Sequence, residues 1–335
     1  MRIESIIKII LPSFMWNWIR ILRYKKMCKT CYSYDASRFT HYSNSLKKWD
    51  NTEKLIGQII AEYHVIEKGL AMPGMYLGFG QKTLKELILH CHLYADRFEN
   101  ENEQFLYALR VIAEYKYEHV KNDYVLEEDL FQSINDILSR FGEPIPSKQI
   151  EIGREDYFKF VQSSFKDFSN SRHSMRNFSG TIELDLIRKA ISLAQNSPSA
   201  CNRQPARVYV LQDKERIKQV LAIQTGNRGF GHLADKLIVL TAELGGYLSL
   251  RERNDVYING GIYAMNLLYA LHYYQIGACP LNWCSIPEQD LKLRRTYNIL
   301  PSETVILIIA CGGVPDNFKI VTSPRNDFSN ILKIV

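Results

Sequence analysis

Two short segments in the second half of the chain concentrate side chains that bind anions and amides. Arg172, Ser174 and Arg176 alternate in the first segment, so an extended backbone would point all three to one side, and a helix would place both arginines on one face. Arginine suits a partly buried anion because its planar guanidinium donates two parallel hydrogen bonds and stays charged. The second segment, residues 197–205, is rich in Ser, Asn and Gln. Together they predict a site for an anionic ligand of the phosphate type.

The composition describes a globular chain and argues against several classes of protein. With 335 residues, 46% of them hydrophobic and 12% aromatic, the chain is long enough for two domains and a substantial core. The net charge of +6 is modest, and basic residues alternate with acidic ones, so nucleic acid is not the expected partner. Seven irregularly spaced cysteines favour a reducing compartment, and their single close pair lacks the second pair of a metal site. We therefore expect a cytoplasmic protein without a metal.

The first 26 residues are strongly apolar, and two interpretations of them stay open. Lys8, Pro12, Asn17 and Arg20 interrupt the apolar run, which leaves it shorter than the roughly 20 residues that a membrane-spanning helix needs. Two tryptophans beside several basic residues suit a helix that lies in a membrane interface or docks on a partner protein. A terminal helix packed on the protein's own core accounts for the same pattern.

The elements that position the two segments are predicted from hydrophobic periodicity. From Asn51 to about Phe141, apolar residues recur three and four positions apart, which predicts an all-helical region. The run Gly-Glu-Pro-Ile-Pro-Ser that follows stops a helix and is typical of a linker. We therefore expect a helical N-terminal region over residues 1–147 and a second domain over residues 148–335.

In the second domain, helical patterns alternate with short apolar runs. Helices are predicted over about residues 183–196, 214–224, 258–275 and 287–297. Runs of branched residues predict buried strands at 208–211, 236–241 and 305–311. The alternation indicates an α/β or α+β fold in which helices flank the strands.

The helical region carries a group of titratable side chains whose role has two interpretations. His64 lies one turn before Glu67 and Lys68, so the three share one face of a helix that Gly69 and Pro73 can end. The triplet either contacts a neighbouring site or forms a solvated helix end, with Lys68 near the terminal carbonyls. The solvated helix end is the favoured interpretation.

Four motifs of the second domain follow one another along the chain. Residues 172–178 read Arg-His-Ser-Met-Arg-Asn-Phe, and residues 197–205 contain Pro-Ser-Ala-Cys-Asn-Arg-Gln-Pro. A long helix begins at Gly260 and is followed by Gly277, and a last apolar strand precedes Arg325. In this order the motifs resemble the FMN-dependent nitroreductase family, over about residues 172–328. The resemblance implies an α+β fold with a central mixed β-sheet flanked by helices, preceded here by the all-α region.

The resemblance also implies that the protein binds FMN and which residues hold it. Arg172, Ser174 and Arg325 would hold the phosphate, and Arg176 would stabilise negative charge at N1 and O2 of the reduced ring. The remaining implied contacts are His173, Pro198, Ser199, Asn202, Gln204, Asn227, Leu281 and Asn282. In the family the Asn-x-Gln-Pro turn usually reaches the cofactor across a dimer interface, so a homodimer with FMN at the interface is expected.

The chain departs from the family pattern at three places. Ala206 stands where many members have an aromatic residue, and Asn259 stands where an acidic residue often precedes the glycine of the central helix. Residues 279–283 replace a Pro-x-x-Gly-like turn, which leaves the route of the substrate open.

The function implied by the resemblance is that of an FMN-dependent oxidoreductase with a ping-pong mechanism. NADH or NADPH would reduce the flavin and leave, and a small-molecule substrate would then take the electrons; no side chain needs to be catalytic, because the flavin carries the reaction. One alternative is flavin-dependent oxidation of a pathway-specific intermediate. A second is a non-catalytic flavin-binding or interaction protein that docks on a membrane through residues 1–26.

Overall fold

The N-terminal part of the chain is helical throughout its regular structure. The computed structural model describes residues 12–98 and 101–335. The helices are α1 (Ser13–Tyr42), α2 (Thr52–Ala71), α3 (Gln81–Arg97), α4 (Glu103–Lys121) and α5 (Glu128–Arg140). The Asn51 side chain caps α2 by accepting a hydrogen bond from the Lys54 N–H at 3.0 Å, and Asn102 caps α4 in the same way. The predicted all-helical N-terminal region is confirmed.

Helices α2 to α5 pack around one apolar core. Along α2 the fully buried residues Leu55, Ile59 and Ile66 lie on one face, as the helical period requires. On α4 the buried stripe is wider and includes Phe105 and Ile112, because this helix packs against both α2 and α5. The helical region therefore has a core of its own.

Helix α1 lies outside this core. None of its 30 residues is buried, and Phe14 and Trp18 are mostly exposed. A two-bond ion pair ties it to the second domain, where Arg253 donates to the Asp35 carboxylate at 2.7 and 2.9 Å. The interpretation that residues 12–26 pack on the protein's own core is therefore wrong. Residues 1–11 of the predicted segment lie outside the described residues. Within residues 12–98 and 101–335, no helix has the length and apolarity to cross a bilayer.

The second domain combines a sheet with flanking helices. Its strands are β1 (Ile150–Gly153), β2 (Ala206–Leu211), β3 (Lys236–Glu243), β4 (Gly277–Asn282), β5 (Glu303–Gly312) and β6 (Asn317–Ile320). Its helices are α6 (Arg154–Phe158), α7 (Phe165–Ser171), α8 (Leu184–Ala194), α9 (Lys214–Ile223), α10 (Asp255–Tyr273) and α11 (Pro287–Tyr297). The four predicted helices and three predicted strands all occur within these bounds or shifted by a few residues. The α+β fold class is confirmed.

The central sheet is antiparallel where a mixed sheet was expected. Its strand order is β2-β3-β5-β4, and each neighbouring pair of these strands is antiparallel. Strands β3 and β4 run in the same direction and are connected through α10, but β5 lies between them and pairs with both. Strands β3 and β4 are therefore parallel, but they do not pair with each other because β5 separates them. Strands β1 and β6 form a separate antiparallel pair.

Helix α10 covers the sheet and is about 28 Å long, since an α-helix rises 1.5 Å per residue. Gly260 permits its close approach, because a Cβ atom there would lie 2.5 Å from the Ile306 side chain of β5. The face that meets the sheet buries Ala264, Leu267 and Leu271. The two ends of α10 contact the two segments singled out in the sequence.

Buried polar contacts join the helical region to the second domain. The Glu114 carboxylate of α4 accepts hydrogen bonds from the Ser147 hydroxyl, from the Gln149 N–H at 3.0 Å and from the Gln149 amide group at 2.9 Å. Gln149 in turn accepts from the Thr322 N–H at 3.0 Å. The boundary placed near residue 147 lies in this bonded linker between α5 and β1, and it stays a prediction.

Candidate functional site

The first predicted segment is extended and lies along the end of the central sheet. The Met175 N–H donates to the Ala278 carbonyl of β4 at 2.9 Å. Met175 is fully buried, whereas Arg172, Ser174 and Arg176 are half-buried. The segment is extended and not helical. This geometry keeps the three polar side chains away from the core.

Glycines allow this segment to approach the sheet. A Cβ atom on Gly312 would lie 2.6 Å from the Phe178 side chain, and one on Gly277 would lie 3.0 Å from the Met175 side chain. The first distance is too short for a real Cβ contact and the second is tighter than most, so larger residues would push the segment outward. The glycines of the family-like motifs thus position the arginines.

Positive charge accumulates at the C-terminal end of α10. Burial, followed by the charges of Arg172 and Arg325, holds the pKa of His173 below its ordinary value. Burial likewise lowers the pKa of Lys68, and the nearby Arg176 guanidinium lowers it further. These shifts show that Arg172, His173, Arg176, Arg325 and Lys68 lie close together, and that burial, followed by the charges of the arginines, favours the neutral forms of His173 and Lys68.

The same end of α10 holds a buried histidine. His272 contacts the Ser171 hydroxyl through Nε2 at 2.9 Å. Burial, followed by the charge of Arg172, lowers its pKa to about 4. His272 is therefore neutral at physiological pH and adds no charge to the cluster.

Within residues 12–98 and 101–335, no carboxylate forms an ion pair with an arginine of the cluster. Arg325 is exposed and donates to the Ser323 carbonyl at 2.8 Å, and Arg176 contacts His64, with 3.4 Å between Nη2 and Nε2. Glu67 is the carboxylate close to Lys68, and its oxygens are engaged by other groups. An excess of half-buried positive charge calls for an anion.

The helical region contributes to this end of the site through α2. Glu67 is 0% exposed, and it accepts from the Tyr107 hydroxyl at 3.0 Å and from the Ser323 hydroxyl at 3.1 Å. Its other contact is His64 Nδ1 at 2.5 Å. The favoured interpretation of a solvated helix end is therefore wrong for this triplet. The tail after β6 packs over α2 and buries the carboxylate, which the local sequence of α2 does not reveal.

The second predicted segment lies at the N-terminal end of α10. The Ala200 N–H donates to Asn259 Oδ1 at 3.0 Å, and the Asn259 amide group donates to the Tyr247 hydroxyl at 3.1 Å. The Gln204 N–H donates to the Ser199 hydroxyl at 2.9 Å. Asn259, which departs from the family pattern, thus fastens this loop to α10 together with Asn266, whose amide group donates to the Ser197 hydroxyl at 2.9 Å.

This loop presents its side chains outward from an uncommon backbone. Cys201, Asn202 and Gln204 have φ values of 51°, 54° and 48°, in the left-handed region that non-glycine residues seldom adopt. The side chains of Asn202 and Gln204 are exposed, and Pro198 and Ser199 line a cavity of about 340 Å³ beside them. Several left-handed residues held in one short loop are typical of functional loops.

No hydrogen bond joins the two predicted segments in the described part of the chain. Asn259 and Asn266 hold the second segment at Ala200 and Ser197, and His272 contacts the residue before Arg172. These anchors on α10 lie thirteen and six residues from His272, which corresponds to about 20 and about 9 Å along the axis. The structure therefore brings Arg172, His173, Arg176 and Arg325 together, and places Ser199, Asn202 and Gln204 in the loop that Asn259 holds.

The remaining predicted residues lie around the end of β4. The Asn227 amide group donates to the Leu221 carbonyl at 2.8 Å, so its N–H donors serve the local turn. Leu281 is buried in the core, and Asn282 is exposed. Gln224 was not foreseen from the sequence: it is buried and donates to the Asn282 carbonyl at 3.0 Å, which links the turn to β4.

Comparison with known protein families gives a match in the second domain. Residues 170–226 match the model of the nitroreductase family. The match includes both the arginine segment and the Ser197–Pro205 turn, so the resemblance inferred from the motifs is confirmed over these residues. No curated protein sequence matches the chain significantly.

Solved structures of nitroreductases are similar to about half of the chain. A nitroreductase family protein from Streptococcus pneumoniae is 19% identical, with 51% of this chain and 100% of that chain covered and a TM-score of 0.46. An FMN-dependent nitroreductase from Clostridium difficile is 22% identical, with 49% and 92% covered and a TM-score of 0.40. A nitroreductase family protein from Clostridium novyi is 18% identical, with 46% and 86% covered and a TM-score of 0.41.

Proposed function

We propose that this protein is an FMN-dependent oxidoreductase that NADH or NADPH reduces and that passes electrons to a second small molecule by a ping-pong mechanism. The observation that carries the proposal is the group of half-buried cations at the C-terminal end of α10, which fits a phosphate dianion. FMN, when bound, would supply the two-electron chemistry. The protein's own residues would bind it, orient it and stabilise the charge of its reduced form.

In this proposal Arg172, Ser174 and Arg325 hold the FMN phosphate. Two guanidinium groups match the charge of the dianion, and arginine donates paired hydrogen bonds to phosphate oxygens. Bound phosphate would also relieve the repulsion that lowers the pKa of His173. Arg176, one alternation further along the extended segment, would face the pyrimidine edge of the flavin.

We further propose that the functional unit is a homodimer in which the loop of one chain completes the site of the other. The supporting geometry is the distance of about 20 Å along α10 between Asn259, which holds the loop at Ala200, and His272, which lies beside the arginine segment. Ser199, Asn202 and Gln204 would contact FMN held by the partner's arginine segment. Their outward presentation from a rigid loop suits that role.

The exposed face of α10 fits the proposed dimer interface. Tyr257 and Ile258 are 58% and 57% exposed, and Ile262 and Met265 continue the apolar stripe one and two turns later. A Cβ atom on Gly261 would contact nothing within 4 Å, so this face is open to close approach. Contact between two such faces would bury the stripe in both chains.

The absorbance spectrum of the purified protein tests the flavin proposal. We expect stoichiometric FMN after incubation and gel filtration, and loss of the flavin absorbance on anaerobic addition of NADH or NADPH. A protein that stays colourless after incubation with FMN would contradict the proposal. If FMN binds but only dithionite reduces it, the nicotinamide step of the proposal is wrong and the cofactor assignment stands.

A mixed dimer tests whether the loop acts across the interface. One chain carries Arg172→Ala, and the other carries Asn202→Ala with Gln204→Ala. If the loop serves the partner, the mixed dimer contains one site with an intact arginine segment and an intact loop. We expect half of its sites to bind FMN with wild-type affinity, whereas each homodimer binds weakly. Two impaired sites, one with the affinity of each homodimer, would place both segments in one chain's site.

A flavin enzyme dedicated to one pathway intermediate is the second candidate. The observation that favours it is the contact of α2 with the cationic end of the site, since helices added over a flavin restrict what can reach it. Trace turnover of nitroaromatics with NADH and NADPH, in a protein that binds FMN fully, would favour this candidate. Rapid turnover of several unrelated nitroaromatics would exclude it.

A further inference from the structure

We infer that His64, held by Glu67, is a positioning residue for Arg176, so that the helical region supplies part of the FMN site. This inference rests on the proposed function and adds to it. The residues involved belong to α2, outside the part of the chain that resembles the nitroreductase family. Arg176 lies in the segment that the family model matches.

The protonation of His64 follows from its two neighbours. A guanidinium group only donates hydrogen bonds, so His64 Nε2, 3.4 Å from Arg176 Nη2, must accept. The imidazole proton is then on Nδ1, where the Glu67 carboxylate accepts it at 2.5 Å. The three groups form a directed chain in which Arg176 donates to His64 and His64 donates to Glu67.

Glu67 is a rigid anchor for this chain. Its second oxygen accepts from the Tyr107 hydroxyl of α4 at 3.0 Å, and the Ser323 hydroxyl donates to the oxygen that also holds His64, at 3.1 Å. These donors come from a helix and from the tail after β6, so both parts of the protein hold the carboxylate in place. A side chain supported from several elements transmits its position to the groups bound to it.

The consequence for Arg176 is a fixed orientation of its guanidinium plane. One of its five donors is bound to His64, and the others remain available for the site. Burial, followed by the nearby charge of Arg176, lowers the pKa of Lys68, which comes one residue after Glu67. Helix α2 thus sets both the direction of Arg176 and the charge beside it.

A similar pair that joins α2 to α3 provides a matched control. His90 Nδ1 lies 2.9 Å from Glu62 Oε2, and both side chains are buried inside the helical region. No partner for His90 Nε2 occurs within the described part of the chain. The Glu62–His90 pair therefore has the same chemistry without a contact to the site.

Two substitutions at position 64 separate the two contacts of the imidazole. The amide of glutamine reaches the position of Nε2, so His64→Gln keeps an acceptor for Arg176 and loses the bond to Glu67. The amide of asparagine reaches the position of Nδ1, so His64→Asn keeps the hydrogen bond to Glu67 and loses the contact with Arg176. We expect the Kd for FMN to rise about tenfold in H64N, since hydrogen bonds to charged groups carry this weight, and to stay within about threefold in H64Q.

The midpoint potential of bound FMN distinguishes positioning from general loosening. Arg176 stabilises the negative charge of reduced FMN, so H64N should weaken the reduced form about tenfold more than the oxidised form, which lowers the potential by about 30 mV. Loosening of the fold would weaken both forms alike and leave the potential unchanged. The Glu62→Gln control should keep both the Kd and the potential of the wild type.

The outcomes separate this inference from the proposed function. FMN binding with the same Kd and potential in H64N, H64Q and the wild type overturns the inference alone. So does an equal loss of affinity in both variants without a change in potential. A wild-type chain that binds no FMN overturns the proposed function and the inference with it.

Discussion

The two ends of α10 hold the two segments predicted to bind the ligand, and they differ in what they leave unsatisfied. At the C-terminal end, basic side chains converge, and Arg176 and Arg325 contact His64 and the Ser323 carbonyl. At the N-terminal end, the loop bonds to Asn259 and through Ser199, and it exposes Asn202 and Gln204. Basic side chains thus outnumber the one nearby carboxylate, Glu67, at the first end, and the second end exposes polar side chains.

This difference indicates what each end of α10 can bind. Half-buried charge without a counter-ion is costly, so its persistence indicates a ligand of opposite charge. A loop with several left-handed residues is also costly, and hydrogen bonds to Ser199 and Asn259 hold it in place, which indicates a surface shaped for another molecule. We therefore expect the first end to control affinity for FMN and the second to act through the partner chain.

The largest effect is expected from removing charge at the C-terminal end. Arg172→Ala should raise the Kd for FMN about 100-fold, because two charge-assisted hydrogen bonds to phosphate are lost. Fluorescence quenching of FMN at fixed ionic strength measures the change. Arg188→Ala, which removes an exposed arginine from α8, is the control and should leave the Kd unchanged. Equal affinities in the two variants would show that the cation cluster does not bind the phosphate.

A smaller effect is expected from separating the two chains. Ile258→Arg places a charge in the exposed stripe of α10 and should produce a monomer by analytical ultracentrifugation. FMN should then bind about tenfold more weakly, because the partner's loop is gone while the arginine segment remains. Val120→Arg, on the exposed face of α4, should change neither property. A monomer with wild-type affinity for FMN would refute the role of the partner's loop.

The smallest effect is a pH dependence at the C-terminal end. Burial, followed by Arg172 and Arg325, holds the pKa of His173 below 6.5 in the free protein. A bound dianion opposes these charges and raises that pKa, so binding takes up a proton and the affinity should rise about threefold from pH 8 to pH 6.5. The phosphate stays mainly dianionic over this range, since its second pKa is about 6.

Titration calorimetry at several pH values measures this dependence, and His173→Gln should flatten it. The groups that face His173 are the guanidiniums of Arg172 and Arg325, the Ser171 carbonyl, the Tyr157 hydroxyl and the ring of His272. Burial raises the pKa of Tyr157 to about 12, and His272 titrates near 4, so neither changes charge between pH 6.5 and 8. An unchanged slope in the variant would assign the proton uptake to another group.

Local patterns in the chain were sufficient for the secondary structure and for the arginine segment. Helices α8 to α11 and strands β2, β3 and β5 follow from periodicity, because a helix or strand buries one face and its apolar residues repeat accordingly. The alternation of Arg172, Ser174 and Arg176 predicted a shared direction for the same reason. These features depend on residues that are close in the chain.

Contacts between distant residues account for what the sequence left open or indicated wrongly. Glu67 is buried because Ser323, 256 positions further along, packs over it, so no local pattern could distinguish it from a solvated helix end. Helix α10 contacts the second segment through Asn259 and Asn266, and His272 near its end contacts the residue before the arginine segment, an arrangement that the motifs do not reveal. Local residue types therefore set which groups are available for chemistry, and long-range packing sets which of them meet, because burial and distance depend on the whole chain.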